Sequence, residues 1–199
     1  YIVVGYLKEQ FCEIRKEYQG ITLIENPYYA TCNNISSLYV ARKYLENAII
    51  LDGDQIICNE RILISEFCRS GYNSVWTFEE TDEWLQTVKD GIVTACSRVG
   101  GGCGWQLYSI SRWTAEDGRK LKKHLELEFE QKHNTQIYWD DIVMFCHSQE
   151  YQLGIFEMQP DDVIEIDSLE ELISIDNNYV KYRDCLLYTS PSPRDVEES

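Results

Sequence analysis

The sequence predicts an α/β fold on a sheet buried on both faces, and three stretches carry that prediction. Residues 2–4, IVV, and 21–26, ITLIEN, are short apolar runs on either side of a segment with helical spacing. Strand, helix, strand with short links is the pattern of a parallel βαβ unit, whose crossover is right-handed. Ala48–Asp54, AIILDGD, runs four apolar residues into a turn carrying two carboxylates. A buried strand ends this way where it delivers polar groups to the carboxyl edge of a sheet. Thr114–Lys132 spaces Leu121, Leu125 and Phe129 four apart, as a long amphipathic helix does.

In chain order, Ile2–Val4 is a strand ended by Gly5, and Phe11, Ile14 and Tyr18 mark one face of the helix that follows. Gly20 closes that helix before the strand Ile21–Asn26. A second helix has Leu38, Ala41 and Leu45 on its apolar face, with Ser36 or Asn33 and Asn34 as caps. The strand Ala48–Leu51 brings Asp52 and Asp54 to its end, where paired acids suit a hard cation such as Mg²⁺. Asp and Gly are also common turn residues, so the heptamer alone leaves both readings open. Residues 60–70 form a short helix or crossover. Asn73–Phe78, Glu83–Lys89 and Ile92–Val99 read as antiparallel strands, the last two joined by a turn at Lys89-Asp90-Gly91.

Gly100–Gly104, GGGCG, lacks the lysine and following helix of a phosphate loop and reads as a hairpin connection. Trp105–Ser111 and Tyr151–Met158 are strands on either side of the long helix and of YWDD, Tyr138–Asp141. Val163–Ile166 alternates like a strand, and Ser168 with Glu171 spells a capping box for a helix through Ile175. Asp167 therefore stands between a strand end and a helix start.

At 199 residues the chain fits one domain or a large part of one. A net charge of −16 argues against nucleic acid and anionic membrane surfaces, both of which need basic patches. A nucleotide remains within reach if a metal and a few local cations screen its phosphates. No apolar run approaches the ~20 residues of a membrane span, and no secretory segment is evident. Cys12, Cys32, Cys58, Cys68, Cys96, Cys103 and Cys146 are scattered without a C-x-x-C pair. They read as free thiols, and the protein as cytoplasmic. His124, His133 and His147 show no metal-ligand spacing and read as solvated. Cys185–Asp195, CLLYTSPSPRD, resembles the translation of a transposon sequencing adapter. The chain accordingly divides into a domain over residues 1–184 and a non-native tail over 185–199.

With these stretches in view, the chain resembles the sugar-nucleotidyltransferase-like superfamily, and within it the bacterial choline-phosphate cytidylyltransferases. The resemblance rests on NPYYATCNNISSLYVAR, Asn26–Arg42; on ILDGDQ, Ile50–Gln55; on YSISRW, Tyr108–Trp113; on YWDD, Tyr138–Asp141; and on EIDSLEEL, Glu165–Leu172. It implies a Rossmann-like mixed, mainly parallel sheet of the nucleotide-diphospho-sugar transferase type. It further implies that Asp54 and Asp167 hold a catalytic Mg²⁺ and that Asn33, Asn34 and Ser37 lie near the nucleotide. Trp84, Trp139, Asp140 and Glu165 would surround the quaternary ammonium of choline, an assignment that suits the attraction of aromatic faces for a cation. Trp76, Trp105 and Trp113 read as core.

The family's opening strand, Gly-rich triphosphate loop and later lysine have no counterpart in this sequence, which reads as a fragment lacking the first βαβ segment and inactive by itself. The implied reaction is Mg²⁺-dependent transfer of a cytidylyl group from CTP to phosphocholine, giving CDP-choline and pyrophosphate. The alternatives are a nucleotidyltransferase for phosphoethanolamine or a sugar 1-phosphate, an A-type glycosyltransferase using D-x-D, and a non-catalytic binding module.

Overall fold

The computed structural model describes residues 1–183, so the adapter-like tail lies outside the described residues. By its contacts the chain divides into two units, Tyr1–Leu51 with Glu60–Pro160, and Asp52–Asn59 with the residues from Asp161 onward.

The larger unit opens with the expected βαβ unit. Strands β1 (Ile2–Val4) and β2 (Leu23–Glu25) pair in parallel, Ile2 opposite Leu23. Their link is less helical than the spacing predicts. Residues 8–11 form a 3-10 turn, and α1 covers only Cys12–Glu17. Neither segment buries a residue, and a short helix without tertiary packing has little to extend it. Helix α2 (Ile35–Ala41) buries Ile35, Ser36 and Leu38 and leads to β3 (Ala48–Ile50).

Strands β5 (Gly71–Thr77), β6 (Leu85–Lys89), β7 (Ile92–Ser97), β8 (Gly104–Trp113) and β9 (Gly154–Glu157) build a sheet in the order β7-β6-β8-β5-β9, with β3 also on β8. The fold class is the mixed α/β one expected. Within this sheet only β5–β9 runs parallel, and the other four pairings are antiparallel. At β6–β7 a short connection imposes this, because strands joined by a tight turn can pair only antiparallel. The β6–β7 turn is such a case, with Asp90 at φ 52° and Gly91 at φ 75°, the left-handed pair that a two-residue hairpin requires.

Helix α3 (Ala115–Leu125) starts at Thr114, whose Oγ1 accepts from the Asp117 backbone N–H at 3.2 Å. Its chain continues through a π-wound turn over Glu126–Gln131. The predicted stripe is the core: Leu121 and Leu125 are fully buried and Phe129 nearly so. They pack with Ile35, Leu38, Tyr72, Trp113, Trp139 and Ile142. Each buried leucine contributes about 2 kcal/mol. Gly118 marks where α3 crosses the chain closely, since a Cβ there would lie 2.2 Å from the Leu45 carbonyl oxygen. Trp113 is core as expected. Trp76 is not, being 40% exposed and packed edge-on against Phe78 and Trp105 at the open end of its strand.

In the smaller unit, β4 (Gln55–Ile57) pairs antiparallel with β10 (Val163–Glu165), Gln55 opposite Glu165. Helix α4 (Leu169–Ile175) follows behind the predicted capping box: Ser168 Oγ accepts from the Glu171 N–H, and Glu171 accepts from the Ser168 N–H at 2.9 Å. Among the described residues no helix is long and apolar enough to cross a membrane. The seven described cysteines are all free thiols.

Candidate active site

The acids of the smaller unit are placed by backbone register. Beyond the Gln55–Glu165 pair, the Ile166 N–H donates to the Asp54 carbonyl at 2.9 Å, so Asp54 and Asp167 leave the same end of the β4–β10 ladder. Both are exposed, and no side-chain hydrogen bond or ion pair is recorded for either among the described residues. Asp167 is steered by its own N–H, which donates to Glu171 Oε2 at 2.8 Å as an extension of the capping box. Glu165 is exposed on β10. Gln55, next to Asp54, holds both polar side-chain atoms buried without a hydrogen-bond partner among the described residues. Asp54, Asp167 and Gln55 thus bring carboxylate and amide groups without a side-chain partner among the described residues to this strand end, which fits a hard, oxygen-seeking cation.

In the larger unit the asparagines act as ties. Asn34 Oδ1 accepts from the Trp139 backbone N–H at 2.9 Å, and Asn33 Nδ2 donates to the Gln136 carbonyl at 3.2 Å, so the start of α2 is sewn to residues 136–139. Neither side chain accepts a capping bond from α2. Ser37 Oγ accepts from Asn26 Nδ2 at 3.2 Å, and Asn26 is itself buried and donates to Ser36 Oγ as well.

The segment YWDD turns with a three-residue repeat, Asp141 N–H to Tyr138 and Ile142 N–H to Trp139, both at 3.1 Å. Tyr138 and Asp141 therefore share one side and Trp139 the other. Trp139, expected against choline, is 2% exposed and sits in the core, stacked on Tyr72 with ring centroids 5.9 Å apart and edge-on to Trp113. Asp140 is buried and accepts from Tyr72 Oη at 2.7 Å. Trp84, by contrast, is half-buried with two rings edge-on to it, Tyr138 at 6.0 Å and Phe145 at 5.5 Å.

A cation does lie against these rings, and it belongs to the protein. Arg98 Cζ is 3.8 Å from the Phe145 ring centroid and 5.8 Å from that of Trp84. Its Nε donates to Asp141 Oδ1 at 2.9 Å, while Asp141 Oδ2 accepts from the Tyr138 N–H. Burial, and then the Asp140 carboxylate, pushes the nearby Cys96 thiol up to about 12, which keeps it neutral. Two of these residues, Arg98 and Phe145, carry no sequence signal, and Asp141 is marked only as the last residue of YWDD. Gln86 was missed too: it is buried, accepts from Ser74 Oγ at 2.7 Å, and leaves its Nε2 donor without a partner among the described residues.

The histidines also differ from expectation. His133 is exposed, but His124 is buried and His147 nearly so. Their rings stack with centroids 3.9 Å apart and planes 6° from parallel. Behind them lies Glu128, fully buried, which accepts from Lys132 at 2.6 Å and Asn134 at 2.5 Å and meets His147 Nε2 at 2.8 Å. Burial pushes the Glu128 carboxyl up, and these hydrogen bonds outweigh it, leaving the group below its ordinary value. His124 Nδ1 pairs with Tyr151 Oη at 2.7 Å. Among the described residues, His124, His147 and Glu150 are the one group with metal-ligand proximity. An imidazole lone pair lies in its ring plane, however, and in two nearly parallel, stacked planes the lone pairs do not converge on one shared point. As arranged, the two rings hydrogen-bond to Tyr151, Glu128 and Glu150.

No protein-family profile matches the chain. It is 32% identical to the 2-aminoethylphosphonate cytidylyltransferase of Lancefieldella rimae over 181 residues, covering 90% of this chain and 73% of that protein. It is 30% identical to the choline-phosphate cytidylyltransferase of Streptococcus pneumoniae over 170 residues, covering 85% and 73%. The solved structure of the CTP:phosphocholine cytidylyltransferase from Streptococcus pneumoniae superposes with a TM-score of 0.78 at 27% identity, over 89% of this chain and 77% of that one. The inositol-1-phosphate CTP transferase from T. maritima, at 14% identity and a TM-score of 0.62, shares the fold. A chain with these relatives, and with two acids delivered to one strand end, belongs to the bacterial cytidylyltransferases, a family of nucleotidyltransferase enzymes.

Proposed function

We propose that this chain serves the Mg²⁺-dependent transfer of a cytidylyl group from CTP to phosphocholine, giving CDP-choline and pyrophosphate. The observation that carries the reading is the shared exit of Asp54 and Asp167 from the β4–β10 ladder. These two carboxylates would hold the cation, which when bound supplies charge neutralisation at the phosphates. A phosphate oxygen of phosphocholine attacks the α-phosphorus of CTP in line. The new P–O bond forms as the bond to the bridging oxygen breaks, and pyrophosphate leaves. No covalent enzyme intermediate is needed, and catalysis is positioning plus charge stabilisation. The larger unit would receive the cationic head group, with Trp84 and Tyr138 supplying aromatic faces.

A second reading takes a primary ammonium acceptor, such as 2-aminoethylphosphonate, and is supported by the 32% identity to the enzyme of that name. Acceptor competition separates the two, because a trimethylammonium group favours rings and a primary ammonium favours hydrogen-bond acceptors. The Gly-rich triphosphate loop that the resemblance calls for is not among these residues, so the transfer assay uses a protein carrying this chain together with such a loop. In that protein, CDP-choline formation with Mg²⁺ is expected to fall by at least about 100-fold on Asp167→Ala. Unchanged turnover in that variant would sink the assignment.

A further inference from the structure

The rings expected to receive a substrate cation are already engaged by one. Arg98 lies over Phe145 and faces Trp84, and its guanidinium is paired with Asp141, whose side chain is 6% exposed. Tyr138 closes the group through its ring edge on Trp84 and its backbone N–H on Asp141. Aromatic faces and a carboxylate are the chemistry that recognises an alkylammonium, and here two rings, Phe145 and Trp84, and Asp141 satisfy a guanidinium. The arginine is not locked in, since its side chain is 50% exposed. It stands one residue past β7, with Val99 between it and the Gly100–Gly102 run. That run is pinned across to Thr81 by paired backbone hydrogen bonds at 3.0 Å, so the backbone beside Arg98 is held while its long side chain has solvent to swing into.

We propose that Arg98 is a resident cation of this aromatic site and sets its specificity: an acceptor with a cationic head seats by displacing the guanidinium from Phe145 and Trp84. Two unit charges of one sign cannot share the same ring faces without strong repulsion. Arg98 therefore weakens every cation that enters, and favours those whose remaining contacts repay the displacement. The inference rests on the acceptor reading of Trp84 given above, and its test is independent of nucleotide transfer.

The probe is tetramethylammonium chloride, titrated at constant ionic strength against the 199-residue chain and followed by tryptophan fluorescence and calorimetry. Arg98→Gln removes the charge but keeps an amide donor for the buried Asp141, so the variant has a route to fold, checked by its melting curve. It is expected to bind tetramethylammonium about five- to twentyfold more tightly than the unsubstituted protein, while Arg98→Lys, which restores a cation, returns to the unsubstituted affinity. Equal or weaker binding by Arg98→Gln overturns the proposal, as does equal tightening by Arg98→Lys. If Arg98→Gln weakens phosphocholine and leaves tetramethylammonium unchanged, Arg98 is a partner of the phosphate instead. That result rejects the resident-cation role while leaving the transferase reading intact.

Discussion

Two groups of acids in this protein are treated in opposite ways. Glu128, in the π-wound continuation of α3, is fully buried and accepts from Lys132 and Asn134 and meets His147. Asp54 and Asp167 stand exposed at the end of a two-stranded ladder, with no side-chain partner recorded among the described residues. A buried carboxylate must be paired at once, because its desolvation is costly, and its partners then make it part of the fold. An exposed pair costs little to leave unpaired, so it stays available to a ligand. Among acids that look alike in the sequence, partnering separates those that build the fold from those that can work for it.

The comparison breaks first at Glu128. Glu128→Ala leaves His147 and Asn134 facing a void and is expected to cost about 3 kcal/mol, read from the urea midpoint. A change below a fifth of that would mean that the carboxylate is not structural. Acid should act on the same cluster in two stages. Burial, and then the neighbouring His147 ring, hold His124 below its ordinary value of 6.5, against the pull of Glu150 and Glu128. The unfolded chain therefore takes up a proton near pH 6.5 that the folded chain refuses, and stability declines as pH falls from there. Glu128 and Glu150 lie below 4.5, so their contributions are present above that pH and are lost as it falls further. Urea midpoints at pH 7.5, 5.5 and 4 should fall in that order, with His124→Gln flattening the first step. A midpoint unchanged between 7.5 and 5.5 contradicts this account.

Smaller effects sharpen the other side of the comparison. Ser168→Ala removes one half of the capping box and is expected to cost about 1 kcal/mol, visible as a lowered melting temperature. It should also loosen Asp167, whose N–H shares Glu171 with the cap. The smallest effect belongs to the acid itself. The Asp167→Ala protein that loses transfer should melt within about 0.5 kcal/mol of the unsubstituted one. A large loss of stability there would make Asp167 another Glu128.

Much of the fold was legible from local pattern. The stripe Leu121, Leu125, Phe129 marked the core face of α3, and Ser168 with Glu171 marked the start of α4. Lys89-Asp90-Gly91 marked a hairpin that the positive φ values bear out. Each is a short-range rule, needing only periodicity, a cap or a turn residue. The failures are long-range. His124 and His147 look solvated among charged neighbours, because nothing within a few residues announces that Glu128 and Tyr151 will enclose them. Trp139 looked like Trp84 and proved to be core, while Arg98 and Phe145 carried no signal at all, and YWDD marked Asp141 without its partner.

By itself the sequence determined the α/β class, the core face of α3, the start of α4, the β6–β7 turn, and through ILDGDQ and EIDSLEEL the family to which the chain belongs. Only the tertiary structure decided which strands pair antiparallel, which tryptophan faces solvent, and which cation the rings hold. The reason is physical. Periodicity and capping act over one or two turns of chain, whereas pairing, burial and charge compensation join residues far apart in sequence, as Arg98 and Asp141 are joined 43 positions apart.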